Sequence, residues 1–222
     1  MGYRFDFSVI LESWPRLLEG CWLTLWLSAV SMALALCIAV ALVLARRSGI
    51  RPLQWIARTF IEIIRNTPFL VQVFFLFFGL PSLGISMTAG TGAIIALALN
   101  GGAFCAEIIR GGVDAIHRGQ VEAGAALGLH PLQVFRYIIF RPAMRIIYPA
   151  LSGQFILLLL TSSIVSSISA EELTSIAQQL ESTTFRSFEI YVTVTLLYLV
   201  MSTIFAQIFK VIGRYYFSYP VK

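Results

Sequence analysis

The chain has 222 residues, of which 58% are hydrophobic and only 12% charged, and its mean hydropathy is +0.84. Soluble domains carry about 25% charged residues, so this composition excludes a soluble, disordered, collagenous or disulfide-stapled protein. The net charge of +5 reads as basic loops on one side of a membrane, not as a nucleic-acid surface.

The first uncharged run is Cys21 to Ala45. It follows Asp6, Glu12 and Glu19, whereas a cleaved signal peptide has a basic start and a shorter core. It therefore predicts a retained first span over residues 21–45, with Arg46 and Arg47 at its cytoplasmic end and the N-terminus outside. The next run, Asn66 to Ala106, is too long for one crossing of a hydrocarbon core about 30 Å thick. Leu80-Pro81-Ser82-Leu83-Gly84 reads as its turn. That predicts a second span over 59–79 and a third over 87–108, and it draws Glu62 and Glu107 towards the membrane. Residues 146–170 and 190–209 give spans four and five.

Charge orients these spans. All Lys and Arg except Arg4, Arg16 and Arg186 fall at one set of ends, while Asp6, Glu12, Glu19, Glu171, Glu172, Glu181 and Glu189 fall at the other. The expectation is an all-α polytopic membrane protein with five transmembrane helices, N-out and C-in. Residues 1–222 are expected to form a single transmembrane domain with a long cytoplasmic loop over 111–145 between spans three and four. In the outside loop, Leu173, Ile176, Ala177 and Leu180 recur at helical spacing.

Polar residues near the spans carry the functional candidates, because buried charge in a membrane is costly. Glu62 and Arg65, and again Glu107 and Arg110, stand three apart and can pair on one helix face. They read either as residues snorkelling at the cytoplasmic interface or as a gate or brace there. Gln154, Thr161 and Ser162 on span four read either as helix-packing surface or as the lining of a polar pathway. Pro149 and Gly153 loosen that span, and Phe74 to Phe78 form a lipid- and packing-facing aromatic run.

Cys21, Cys37 and Cys105 are isolated in apolar stretches and read as packing residues. His117 and His130 belong to no metal-ligand pattern. No phosphate-binding G-x-x-x-x-G-K-[ST] loop occurs, so ATP is not expected on this chain.

The cytoplasmic loop contains Gly119-Gln120-Val121-Glu122-Ala123-Gly124-Ala125-Ala126-Leu127-Gly128-Leu129-His130-Pro131. Glu122 sits in a first turn, small residues follow, Gly128 takes the C′ place and Pro131 comes three later. This predicts a slim, capped helix of about two turns, fit either to dock on another protein or to pack on its own chain.

Glu122 to Gly128 resembles the EAA loop of ABC-importer permeases. Phe60 to Gln72, with Glu62, Arg65, Thr67-Pro68 and Val71-Gln72, is similar to a segment of the polar-amino-acid permeases. Ala106 to Gly112, then Gly128 to Ile139, and Ala143, Arg145, Pro149 and Leu151 continue that likeness in order. Departures are Gly124 for the second alanine of EAA, His117 for a proline, Phe140-Arg141-Pro142 for Leu-Pro-Gln, and Leu160-Thr161 for Lys-Asp.

The resemblance implies a permease subunit of a bacterial ABC importer for polar amino acids or opine-like compounds, in the inner membrane. It implies that Glu122, Ala123, Gly124 and Gly128 couple to a dimer of ATP-binding subunits. ATP and magnesium belong to those partners, and this chain is a transport subunit with no cofactor of its own. A second permease, identical or homologous, and a solute-binding protein complete the implied assembly. Two other readings compete: a small dimeric secondary transporter driven by an ion gradient, and a non-transporting membrane anchor.

Overall fold

The computed structural model describes residues 5–217, which form helices and no strand. In chain order these are α1 (Ser8–Glu12), α2 (Trp14–Arg47), α3 (Arg51–Arg65), α4 (Phe69–Leu83) and α5 (Ala89–Asp114). Then come α6 (Arg118–Ala126), α7 (Pro131–Ile168), α8 (Leu173–Thr184) and α9 (Ser187–Phe217). Helices α2, α5, α7 and α9 are each long and apolar enough to cross a membrane. Helices α3 and α4 reach that standard only as a pair, bent by 112° at the break between them.

Small residues set the packing. A Cβ on Gly101 would stand 3.2 Å from Ala35 Cβ, and one on Gly102 only 2.7 Å from Ile38 Cγ2, so α2 and α5 approach closely and run parallel. A Cβ on Gly112 would stand 2.2 Å from Ile147 Cγ1, which packs α7 antiparallel against the end of α5. Tyr148 donates its hydroxyl to the Phe209 carbonyl at 2.9 Å, joining α7 to an antiparallel α9. One core lies among α2, α5 and α7, with Ala35, Ala39, Leu97, Cys105 and Leu158 buried in it. A second joins α2, α8 and α9 through Leu17, Leu173, Ile176 and Ile190. These directions gather Arg46, Arg47, Arg110, Arg145, Lys210 and Arg214 at one end of the bundle, here termed the basic end.

The expected second span over 59–79 is not one helix. Thr67-Pro68 divides it: proline lacks the N–H that would continue the ladder and pushes the preceding residue out of helical backbone. Pro68 itself is extended, with φ −63° and ψ 135°. Residues 59–65 belong instead to α3, an amphipathic helix whose Leu53, Trp55, Ile56 and Ile63 are exposed. Arg65, at the far end of α3, still reaches towards Glu107 near the basic end. Helix α4 then runs antiparallel to α5, with Gln72 beside Asn100 and Phe77 beside Gly92. It tightens to a 3-10 turn over Leu80–Leu83 and ends at Gly84, whose φ of +82° makes the turn expected there.

Candidate functional site

Helix α6 is held by its own ends. The His117 ring Nδ1 accepts the Gly119 N–H at 3.2 Å and caps the start. At the other end Gly128 has φ +76°, its N–H bonds the Ala125 carbonyl at 3.0 Å, and the Leu129 N–H bonds the Gly124 carbonyl at 3.2 Å. This paired pattern satisfies the last carbonyls and needs a left-handed residue, which glycine supplies without a Cβ penalty. His130 caps α7 in turn, its Nδ1 accepting the Leu132 N–H and its own N–H bonding Gln133 Oε1 at 2.9 Å.

The faces of α6 divide the proposed coupling residues. Gly124 is buried, and a Cβ there would stand 2.3 Å from Ile138 Cδ1, so this side packs on the chain itself. Glu122, Ala123 and Gly128 are exposed, and Leu127 is 80% exposed beside them. The helix thus packs inward on one face and presents the other.

Glu107 gathers three arginines. Its carboxylate accepts from Arg110 Nη2 at 2.8 Å and from Arg46 of α2, and Arg65 of α3 approaches to 3.9 Å while its guanidinium lies 5.3 Å from the Phe104 ring centre. Arg110 also bonds Asp114 at 2.8 Å, and Arg47 reaches the same Asp114 at 2.5 Å. The sequence pairing of Glu107 with Arg110 is present, but that of Glu62 with Arg65 is not. Glu62 is exposed and, among the described residues, makes no ion pair, because Arg65 turns towards α5. The network pins the ends of α2, α3 and α5 together beside a cleft of about 800 Å³ that Arg58, Arg118 and Glu122 also line.

The α3–α4 break is capped by side chains. Helix ends leave carbonyls without intrahelical donors. Here Asn66 donates to the Glu62 carbonyl at 2.8 Å, Thr67 to the Ile63 carbonyl at 2.8 Å, and Gln72 to the Ile64 carbonyl at 2.7 Å. Gln72 Oε1 accepts from Asn100 Nδ2 at 3.0 Å. Asn100, Gln154 and Thr161 then share a cavity of only about 20 Å³. Ser162 is not part of that lining: it is fully buried, and its hydroxyl donates to the Leu159 carbonyl at 2.7 Å, where α7 tightens into a 3-10 helix. Of the three sequence candidates for a pathway lining, Gln154 and Thr161 thus share one cavity and Ser162 does not.

Residues 37–216 match the family model described as the binding-protein-dependent transport system inner membrane component. The chain belongs to that family. It is similar to the glutamine transport system permease protein GlnP of Escherichia coli, 37% identical over 213 residues that cover 95% of this chain and 97% of that protein. It is 33% identical to the nopaline transport system permease protein NocM of Agrobacterium fabrum, covering 91% of this chain and 88% of that one. A crystal structure of an amino acid ABC transporter with histidines superposes with a TM-score of 0.90 at 35% identity, covering 96% of this chain and 99% of that chain. The MetNI methionine transporter, at 22% identity and a TM-score of 0.74, shares the fold. A member of this family is a membrane-embedded permease subunit of a binding-protein-dependent importer, and the ATPase lies on a separate subunit.

Sequence reasoning counted Glu172 and Glu189 as outside-loop acids and missed that both are fully buried. Glu172 caps α8, accepting the N–H groups of Thr174 at 2.9 Å and Ser175 at 2.7 Å and the Tyr198 hydroxyl at 2.7 Å. Burial pushes its carboxyl above the usual carboxylate range, against the lowering effect of those hydrogen bonds. Thr24 of α2 accepts the Leu173 N–H at 3.0 Å, and Glu189 accepts the Asp6 N–H at 2.8 Å. An acid directly before an apolar-periodic run is a helix-start signal, but burial by Thr24 and Tyr198 has no local trace.

Proposed function

We propose that this chain is the permease of a bacterial inner-membrane importer for a polar amino acid or opine-like compound. The likeness to permeases named for glutamine and nopaline transport supports that substrate class. Gln72, Asn100, Gln154 and Thr161 offer amides and a hydroxyl without fixed charge, which suits recognition by hydrogen bonding of a zwitterionic solute. The basic end faces the cytoplasm and the Glu171–Glu189 end faces outward, giving five crossings, N-out and C-in.

The observation that carries the coupling role is α6 itself: a short helix fixed by its own caps at the basic end, with Glu122 and Ala123 turned outward. Two ATP-binding subunits, which hold ATP and magnesium, sit below a pair of permeases related by a two-fold or pseudo-two-fold axis. ATP-driven closure of the ATPases moves α6. The network around Glu107 passes that motion to the ends of α2, α3 and α5, and so acts as brace and gate. A solute-binding protein delivers the ligand at the outer end, where α8 lies.

The test is uptake of labelled glutamine, arginine and nopaline into proteoliposomes holding the permease and its ATPase, with the cognate binding protein added outside. ATP-dependent uptake of one of these is expected. Uptake driven by a proton or sodium gradient, with the ATPase left out, would replace this reading with the secondary-transporter one.

A further inference from the structure

Gln154 and Thr161 share a cavity of only about 20 Å³, which Leu97, Asn100, Gly101 and Leu158 also wall. That is room for one water molecule, whereas pockets for small ligands run to about 300–1,000 Å³. The site is closed in this structure, and a solute has to find it wider. Directly beyond Thr161 the winding of α7 changes: Ser162–Ile168 is a 3-10 helix of seven residues. Runs beyond about four residues are uncommon, and such a stretch inside a longer helix marks a hinge or strain. Serines hold the winding. The hydroxyls of Ser162, Ser163, Ser166 and Ser167 each donate to the carbonyl three residues back, at 2.7 or 2.8 Å. Ser162, Val165 and Ile168 are buried, and three residues per turn stacks them on one edge. Ile168 Cδ1 lies 3.7 Å from where a Gly92 Cβ would stand, so that edge packs on α5. The segment closes at Ser169, whose φ of +59° is uncommon for a residue with a Cβ, and the Ala170 N–H bonds the Val165 carbonyl at 3.3 Å. Serine hydroxyls also reach the carbonyl four residues back, so the same donors serve an α-helix.

We propose that Ser162–Ile168 is a winding switch, a 3-10 helix while the cavity at Gln154 and Thr161 is shut and an α-helix when it opens to a solute. This rests on the reading of those two residues as pathway lining. Conversion shortens the seven residues by about 3.5 Å and turns one end against the other by about 140°. The outer end is tied down and cannot take up that movement. Ser169, Ala170 and Glu171 alone separate the segment from Glu172, which Tyr198 holds on α9, and from Leu173, which Thr24 holds on α2. The displacement therefore goes to Thr161, drawing it outward and turning it against Leu97 and Asn100 of α5, which close the cavity.

The test is a spin-label distance across the segment in the permease–ATPase complex with its binding protein. Leu160→Cys and Glu171→Cys carry the labels at exposed positions, with Cys21, Cys37 and Cys105 replaced by alanine. The longer distance is expected without nucleotide, and one about 3–4 Å shorter after trapping with ATP and vanadate. Ser163→Ala with Ser167→Ala removes two hydroxyl bonds and installs the strongest α-helix former, so the shorter distance appears without nucleotide. Ser163→Thr with Ser167→Thr keeps the hydroxyls and the longer distance. A labelled complex that takes up glutamine, arginine or nopaline with ATP, yet holds one distance in both states, overturns the proposal and leaves the transport reading standing. So does an alanine pair that keeps the longer distance without nucleotide. A complex with no ATP-dependent uptake overturns the transport reading and this proposal with it.

Discussion

Gly124 and Ile138 meet so closely that a Cβ on the glycine would stand 2.3 Å from the isoleucine Cδ1. That contact seats α6 on the first turns of α7. Ile138 Cδ1 is the mobile end of a side chain, so Gly124→Ala is absorbed by a small rotation. Gly124→Leu has no such outlet and overpacks the contact by about 1–3 kcal/mol. The expected result is an inserted protein whose ATPase partner still hydrolyses ATP while uptake falls about tenfold or more, the rate equivalent of about 1.4 kcal/mol. Uptake at the wild-type rate by Gly124→Leu would show that the seating of α6 is irrelevant to transport.

Gly128 supplies the other constraint on α6, through its φ of +76°. A β-branched side chain in left-handed backbone costs about 1–2 kcal/mol, and asparagine costs less. Gly128→Val is expected to uncouple ATP hydrolysis from uptake, while Gly128→Asn keeps most of the coupling. The ratio of solute moved to ATP consumed in proteoliposomes measures this, and equal ratios for the two variants would refute it.

Glu107 and Glu62 occupy equivalent sequence patterns and unequal structural positions. Glu107→Gln removes the charge shared by Arg46, Arg65 and Arg110, and the purified complex should lose about 1–3 kcal/mol, seen as a lower melting temperature. Glu62→Gln removes an exposed carboxylate with no ion pair among the described residues, so its melting temperature should match wild type. The reverse ranking would mean that the network does not brace the helix ends.

The two glutamates also show what a sequence can and cannot carry. Pairing three residues apart on a helix is local, so Glu107 with Arg110 is legible, as is the capped helix from Arg118 to Ala126 with its C′ glycine. Arg46 is 61 residues from Glu107, and nothing local joins them. The break at Pro68 is different, because its signal is present. Arg51, Arg58, Glu62 and Arg65 fall on one helix face and mark 51–65 as a single amphipathic helix, yet the long uncharged run after Arg65 outweighs that pattern when hydropathy alone places the span. Ser162 shows a third kind of limit. It follows Thr161, which lies seven residues from Gln154, but the switch to 3-10 winding at Ser162 changes the helix phase there.

Gln72 closes the α3–α4 break from within α4. It donates to Ile64 and accepts from Asn100, so Gln72→Leu leaves both partners unsatisfied. These groups are half-buried, so each one orphaned costs up to about 1–3 kcal/mol. Asn100→Leu breaks only the second of these bonds and should destabilise less. Thermal unfolding of the two variants gives the ranking directly. Gln72→Leu should also lower uptake more, because α4 loses its fixed angle to α3. An Asn100→Leu protein less stable than Gln72→Leu would place the cap elsewhere.

Glu172 ties α8 to α9 through Tyr198, while Thr24 ties α8 to α2. Its carboxyl titrates above the usual range because burial disfavours the charged form, and Tyr198 is the titratable group that faces it. A carboxyl with a raised folded-state pKa adds stability that is fully present below its unfolded pKa and lost as pH rises through the folded value. Docking of α8 is therefore tightest in mild acid and loosens as pH rises through that shifted pKa. Glu172→Gln, which cannot ionise, should remove the pH dependence, whereas Glu172→Ala loses the cap and costs about 1 kcal/mol or more at every pH. Hydrogen exchange at the Thr174 and Ser175 amides, corrected for intrinsic rate, reads the effect. A wild-type protein and a Glu172→Gln protein with the same dependence on pH would place the titrating group elsewhere.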